Sequence, residues 1–242
     1  MTNRRFLTAE WRHLAMLNYE IDSAVLEPYV PSGTELDSWN GKTFVSLVGF
    51  LFLRTRVLGL PIPFHRNFEE VNLRFCVRRK DGDGWKRGVV FIKEIVPRCA
   101  IAAIARRVYN ENYVTMRMRH RIDRESETLR QGGSAEYGWF HNGEWNQLAV
   151  ETCGDPVLPA AGSEEEFITE HYWGYSAQPD GGCVEYRVEH PQWRVWRASQ
   201  SALQCHIADL YGPEFVEFLN AKPGSAFLAE GSPVVVYKGM RL

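Results

Sequence analysis

Residues 68–79 read FEEVNLRFCVRR, and every second position in this segment carries a functional group. In extended chain, alternate side chains leave opposite faces. Val71, Leu73, Phe75 and Val77 then share an apolar face, and Glu70, Asn72, Arg74 and Cys76 share the other. Turned into a cavity, that polar face supplies a carboxylate, an amide and a guanidinium; turned outward, it is a wet surface. Buried, Glu70 could serve as a general base. Arg74 could hold a carboxylate through its planar fork. Four residues of strand separate the two, too far for direct contact but close enough to converge on one ligand. A second set follows in ARRVYNENY, where Arg106 or Arg107 could grip a carboxylate and Tyr113 could donate a hydrogen bond. A third lies in EHPQWRVW, where His190 would offer a polar edge beside Trp193 and Trp196. Each set has a plain alternative: solvated charge, aromatic core, or a histidine that caps a turn before proline.

The familiar motifs are absent. The chain contains no H-E-x-x-H, no P-loop, no G-x-G-x-x-G on a strand-to-helix turn and no G-x-S-x-G. Its seven histidines are dispersed, without the short spacing that places two on one metal. No metal and no cofactor are assigned on this basis. A net charge of −2 sets up no field to recruit nucleic acid or an anionic membrane. Of the 28 basic residues only six are lysines: Lys42, Lys80, Lys86, Lys93, Lys222 and Lys238. Five scattered cysteines without a C-x-x-C pair suit reduced thiols. The N-terminus lacks an apolar core of signal-peptide length, and no later run would span a bilayer. A cytoplasmic location is the expectation.

The elements that must position these groups are mostly strands. The 242 residues contain no internal repeat or low-complexity linker, so one domain over 1–242 is expected. Residues 11–21 read as a strand leading to a short helix at 23–29 capped by Ser23. Asn40-Gly41 signals a turn before a long strand, 43–57, bent at Gly49. The segment opened above then forms a hairpin with residues 85–96 across Asp81-Gly82-Asp83-Gly84. Ile101, Ile104, Ala105 and Val108 fall on one face at helical spacing, which predicts a helix over 99–109. Alternation returns from Val114, and further strands are expected near 126–140, 144–152, 172–177, 183–189, 193–204 and 233–238. Ser163 with Glu166 predicts a capped helix through Glu170, and another helix opens at Pro213. The pattern is mainly β (α+β): an antiparallel barrel or sandwich with a few short helices.

NYEIDSAVLEPYVPSGTELDSWNGKTFVSLVGF, FEEVNLRFCVRR, ARRVYNENY, FITEHYWGYS and HPQWRVWRA together, and in this order, resemble the uncharacterised YqjF-like bacterial family. That family is similar in fold to acetoacetate decarboxylase, a closed β-barrel with polar residues in its lumen. The resemblance implies that Glu70, Asn72 and Arg74 face inward and that the apolar row packs outside against helices. It does not carry the decarboxylase chemistry. That enzyme forms a Schiff base through one lysine activated by a second; the corresponding positions fall near Asn112, Tyr113 and Val114, where there is none. The arginine of its Y-R-T-D stretch is matched by Glu20 in YEID, whereas its pocket glutamate matches Glu70. Among the lysines only Lys93 has a strand position suited to a cavity, with Glu94 on the opposite face. The expected partner is a small anionic organic molecule, and a homo-oligomer is left open. Two other readings compete. One is a cofactor-independent lyase, hydratase or isomerase acting beside a carbonyl with Glu70 as base; the other is a barrel filled by its own side chains.

Overall fold

The computed structural model describes residues 4–99, 102, 103, 107, 109–124 and 133–242. Its first half contains β1 (Arg5–Ile21), α1 (Ser23–Leu26), β2 (Glu35–Leu36), β3 (Thr43–Val57) and β4 (Leu60–Pro61). The hairpin of β5 (Phe68–Asp81) and β6 (Gly84–Val96) follows, then β7 (Tyr113–Thr115) and β8 (Met118–Arg124). The second half runs β9 (Gly133–His141), β10 (Glu144–Val157), α2 (Glu164–Thr169), β11 (Trp173–Ala177) and β12 (Cys183–Glu189). It ends with β13 (Val195–Gln204), α3 (Ile207–Tyr211), α4 (Val216–Leu219), β14 (Ser225–Tyr237) and β15 (Met240–Arg241).

All the strands belong to one sheet whose main path is β15-β12-β11-β6-β5-β3-β1-β14-β13-β10-β9-β8. An additional pairing, Val188 with Val236, joins β12 to β14. Hydrogen bonding therefore runs from β12 through β11, β6, β5, β3 and β1 to β14 and back to β12. The sheet is mixed, not antiparallel throughout as the alternation suggested: β6 pairs parallel with both β7 and β11. Parallel neighbours need long crossovers. Residues 97–112 supply one, and everything between β6 and β11 supplies the other.

Beyond β14 the strands β13, β10, β9 and β8 share a core with the apolar face of β5. Val71, Leu73, Phe75 and Val77 are at most 1 % exposed and sit in one cluster with Ala135, Tyr137, Trp139, Leu148 and Val150. The expected helices contribute less than expected. Ile207 and Leu210 of α3 and Leu219 of α4 join the same cluster, but much of the cover is a second layer of sheet. Gly49 matters here for space: a Cβ would lie 2.7 Å from the Tyr137 ring. Glycine at this position permits close approach between the layers.

Local signals resolve in several ways. Ser163 caps α2, accepting from Glu166 N at 3.2 Å, while the Glu166 carboxylate turns to Gly162 N at 2.6 Å. At α1 the cap is Asp22, one residue before the expected Ser23, accepting from Ala24 N at 2.9 Å. The last long strand begins at Ser225, eight residues earlier than its alternation implied. The helical stripe of Ile101, Ile104, Ala105 and Val108, the side chain of Arg106, and residues 125–132 lie outside the described residues.

Candidate functional site

The β5–β6 hairpin decides which groups meet. From Asp81 opposite Gly84 back to Arg74 opposite Phe91 the register is regular. It then shifts: Leu73 pairs with Lys93 and Asn72 with Glu94, leaving Ile92 as an extra residue. This is a β-bulge, which inverts the facing of everything beyond it. Asn112 holds it from β7's side, donating Nδ2 to Ile92 O at 2.9 Å and accepting from Glu94 N at 3.1 Å. Lys93 therefore shares the face of Leu73, and Glu94 shares the face of Glu70 and Asn72. Both facings are the reverse of the sequence expectation.

Glu70, Asn72 and Arg74 line a cavity of about 110 Å³, together with Glu94, Glu111 and Tyr113. Its other walls are apolar and aromatic, from Phe50, Phe52 and Phe68 to Trp11, Trp173 and Trp193. Glu70, Asn72 and Glu94 are buried, at 1–3 % exposure. Glu70 accepts from Asn72 Nδ2 at 3.0 Å and from the Tyr113 hydroxyl at 3.2 Å. Arg74 Nη2 donates to Ile168 O at 3.2 Å, the carbonyl of an α2 residue. Glu111 accepts from the Tyr186 hydroxyl. Tyr186 stands directly opposite Gly174 across β11 and β12, where a Cβ would lie 2.1 Å from the ring. Glycine makes room there for a phenol that reaches a carboxyl.

Three acids with a single arginine nearby cannot all ionise cheaply. Burial pushes the Glu70 carboxyl up to about 7, against the opposing pull of its Asn72 and Tyr113 hydrogen bonds and of Arg74. Burial likewise raises Glu111 to about 8, with Glu70 adding to the rise. Glu94 is held well above the usual carboxylate range by burial and by its two acidic neighbours. Burial and mutual repulsion thus favour the protonated form along this wall.

At the Arg74 end stands His171, 6 % exposed and a cavity residue, with neither ring nitrogen hydrogen-bonded. Burial, with Arg87 and Arg74 beside it, holds its pKa well below normal, so the imidazole is neutral. His190 stacks between Tyr172 and Trp193, at ring centroid distances of 4.8 and 4.2 Å. Both His190 and Trp193 line the cavity.

The remaining candidates separate. Trp196 is buried in the outer core and Cys76 in the inner apolar cluster, neither on the cavity wall. Arg107 is exposed and likewise off the wall. Glu20 is exposed, in an ion pair with Lys42 at 2.6 Å. None of the six lysines lines the cavity. Among the described residues no cluster of three or more His, Cys, Asp or Glu could hold a metal ion, and no helix is long and apolar enough to cross a membrane. Glu94, Glu111 and His171 lie on the wall and were not selected from the sequence. Glu94 was hidden by the bulge. Glu111 sat within the quoted ARRVYNENY loop without a signal to distinguish it. His171 had no partner at a recognisable spacing.

Comparison with known proteins follows the fold. The chain is similar to the uncharacterized protein YqjF of Bacillus subtilis, at 36 % identity over 204 residues, 84 % of this chain and 80 % of that one. Among solved structures it is similar to an acetoacetate decarboxylase-like enzyme from Sphingomonas wittichii, with a TM-score of 0.66 at 14 % identity. That match covers 98 % of this chain and 92 % of the other. It is also similar to the enduracididine biosynthesis enzyme MppR complexed with pyruvate, with a TM-score of 0.67 at 11 % identity over 100 % and 91 % of the two chains. At such identities these structures speak for the fold alone. The profile of the DUF2071 family, an uncharacterized conserved protein, matches residues 8–233, and the chain belongs to that family.

Proposed function

We propose that this single-domain chain closes the circuit of β12, β11, β6, β5, β3, β1 and β14 into a small barrel, and that the barrel binds a small organic acid. The observation that carries the reading is the Glu70-Asn72-Arg74 row on the wall of the cavity. Arg74 and the neutral His171 form its cation and donor end, where a ligand carboxylate would sit. The upward shifts of Glu94 and Glu111 support this, because an acid held toward its neutral form repels an anion less. Size supports it too: a cavity of about 150 Å³ holds benzene, so one of about 110 Å³ suits a molecule of similar or smaller size. The solved neighbours are enzymes, one of them complexed with pyruvate, and that class of ligand fits these dimensions.

A second reading is favoured by one specific feature, the Glu70 carboxyl at about 7. A base poised there suits proton removal beside a carbonyl at neutral pH, as in a cofactor-independent lyase, hydratase or isomerase. Schiff-base decarboxylation has no support, since the cavity wall contains no lysine.

Titration with pyruvate by calorimetry, beside Arg74→Met, tests the binding reading. Saturable binding that weakens at least about tenfold in the variant is expected for loss of a charge-assisted contact. Pyruvate binding unaffected by Arg74→Met would refute the assigned orientation. Deuterium uptake at the pyruvate methyl in D₂O, abolished by Glu70→Gln, would establish the catalytic reading; no exchange above the uncatalysed rate would leave binding alone.

A further inference from the structure

The wall opposite the Arg74 end has more acceptors than the protein satisfies. Glu94 Oε2 and Asn72 Oδ1 are buried without a hydrogen bond of good geometry, although the Tyr113 hydroxyl also approaches the Glu94 carboxyl, and their residues are cross-strand neighbours on the cavity face. Buried polar atoms without partners are uncommon and mark a place for something else. Glu70 and Glu111 add carboxyl oxygens to the same region, and each already receives a tyrosine hydroxyl. Aromatic rings flank it: Tyr109 and Tyr186 pack with centroids 4.7 Å apart, while the Trp173 ring already carries the Lys86 ammonium at 4.2 Å from its centroid. Orphan acceptors, excess carboxyls and ring faces are together the surroundings that favour a nitrogen cation.

The other end differs in sign. Arg74 lies two residues along β5 from Asn72, about 7 Å at the usual strand rise, next to His171 and the Ile168 carbonyl. The cavity is therefore polarised along one strand, acceptor-rich at Asn72 and Glu94 and donor-rich at Arg74.

We infer that the ligand is zwitterionic: an acid whose carboxylate meets Arg74 and whose ammonium or guanidinium group meets Glu94, Asn72 and Glu111. This rests on the organic-acid reading above and narrows it to acids bearing a basic nitrogen. A cation seated there has a second consequence. The groups facing it are Glu70 from β5, Glu94 from β6, Glu111 and Tyr113 at β7, and Tyr109 and Tyr186 beyond them, with Arg74 on the same wall and Lys86 over the Trp173 ring. A bound cation favours the ionised carboxyls, so protons leave on binding, whereas a simple anion draws them in.

Calorimetry of the full chain at pH 7 with three probes separates the outcomes: 3-aminopropanoate, propanoate and ethylammonium, each in two buffers of different ionisation enthalpy. Expected is 3-aminopropanoate binding at least about tenfold tighter than propanoate, with net proton release for the zwitterion and uptake for propanoate. Glu94→Gln should narrow that ratio. Propanoate binding as tightly as 3-aminopropanoate, or a zwitterion that takes up protons, overturns the inference while leaving the organic-acid reading standing. Ethylammonium binding without propanoate binding removes the organic-acid reading and keeps the cation site. Failure of all three to bind removes both. The wild-type ratio and proton count decide the matter even where Glu94→Gln does not fold.

Discussion

Replacing Glu70 by Gln should make the protein more stable, and by an amount that depends on pH. Folding carries this carboxyl from its ordinary value of 4.5 to about 7, chiefly by burial. Between those values the unfolded chain has lost a proton that the folded chain keeps. Stability therefore falls as pH rises from 4.5, and levels off above about 7. For one such group the penalty is about 1 kcal/mol at pH 5 and about 3 kcal/mol at pH 8. Glutamine does not titrate, so the variant escapes both. The substitution has its own cost, independent of pH. One glutamine oxygen can still accept from Asn72 Nδ2, but the amide nitrogen replaces the oxygen that accepts from Tyr113. The Tyr113 hydroxyl must then turn and accept. That cost cancels in the difference between two pH values.

The assay is urea unfolding of both proteins at pH 5 and pH 8, with equal slopes as the condition for comparison. The stability of Glu70→Gln relative to wild type should rise by about 2 kcal/mol from pH 5 to pH 8. Glu94 and Glu111 titrate in both proteins, and loss of the Glu70 charge eases their ionisation, which adds to the same sign. A difference that stays constant with pH would mean that Glu70 is ionised and well solvated. The cavity would then be wet and open, and the assignment of Glu70 as a poised base would fall with it.

Two further outcomes follow from the same geometry. Gly174→Ala would set a methyl 2.1 Å from the Tyr186 ring; displacement of that ring from Glu111 should cost about 1–3 kcal/mol, and an unchanged melting temperature would count against the close packing of β11 on β12. Borohydride treatment with pyruvate or acetoacetate should trap no adduct by mass spectrometry, because Lys93 shares the face of Leu73; a mass shift mapped to Lys93 would place an amine in the cavity after all.

Much of the fold was legible because it depended on local chemistry. Turn residues at 81–84 fixed the hairpin, and the Ser163 cap fixed a helix start. The strict alternation of 68–79 correctly separated two faces. What alternation could not supply was the identity of the layer outside. The pairing of β12 with β14, and the return of β9 and β10 over Leu73 and Phe75, join residues far apart in sequence. Such contacts leave no periodic trace within either segment.

The site was half legible for a more specific reason. Glu70, Asn72 and Arg74 could be read from one strand, since a single strand's facing follows from counting by two. Glu94 could not, because the count across the hairpin breaks at Ile92. Extending the regular register would set Lys93 opposite Asn72 and send Glu94 into the outer core. That register would bring to the wall the amine that Schiff-base chemistry requires. One inserted residue, clamped by Asn112, exchanges that amine for a third carboxyl. The exchange costs little backbone hydrogen bonding, since Ile92 O and Glu94 N both find partners in Asn112. Its electrostatic effect is large, turning a wall that would have carried the Lys93 amine into one that accumulates unpaired acid. The chemistry available to this cavity is thus set less by the residues that the β6 sequence offers than by the bulge that selects which of them face inward.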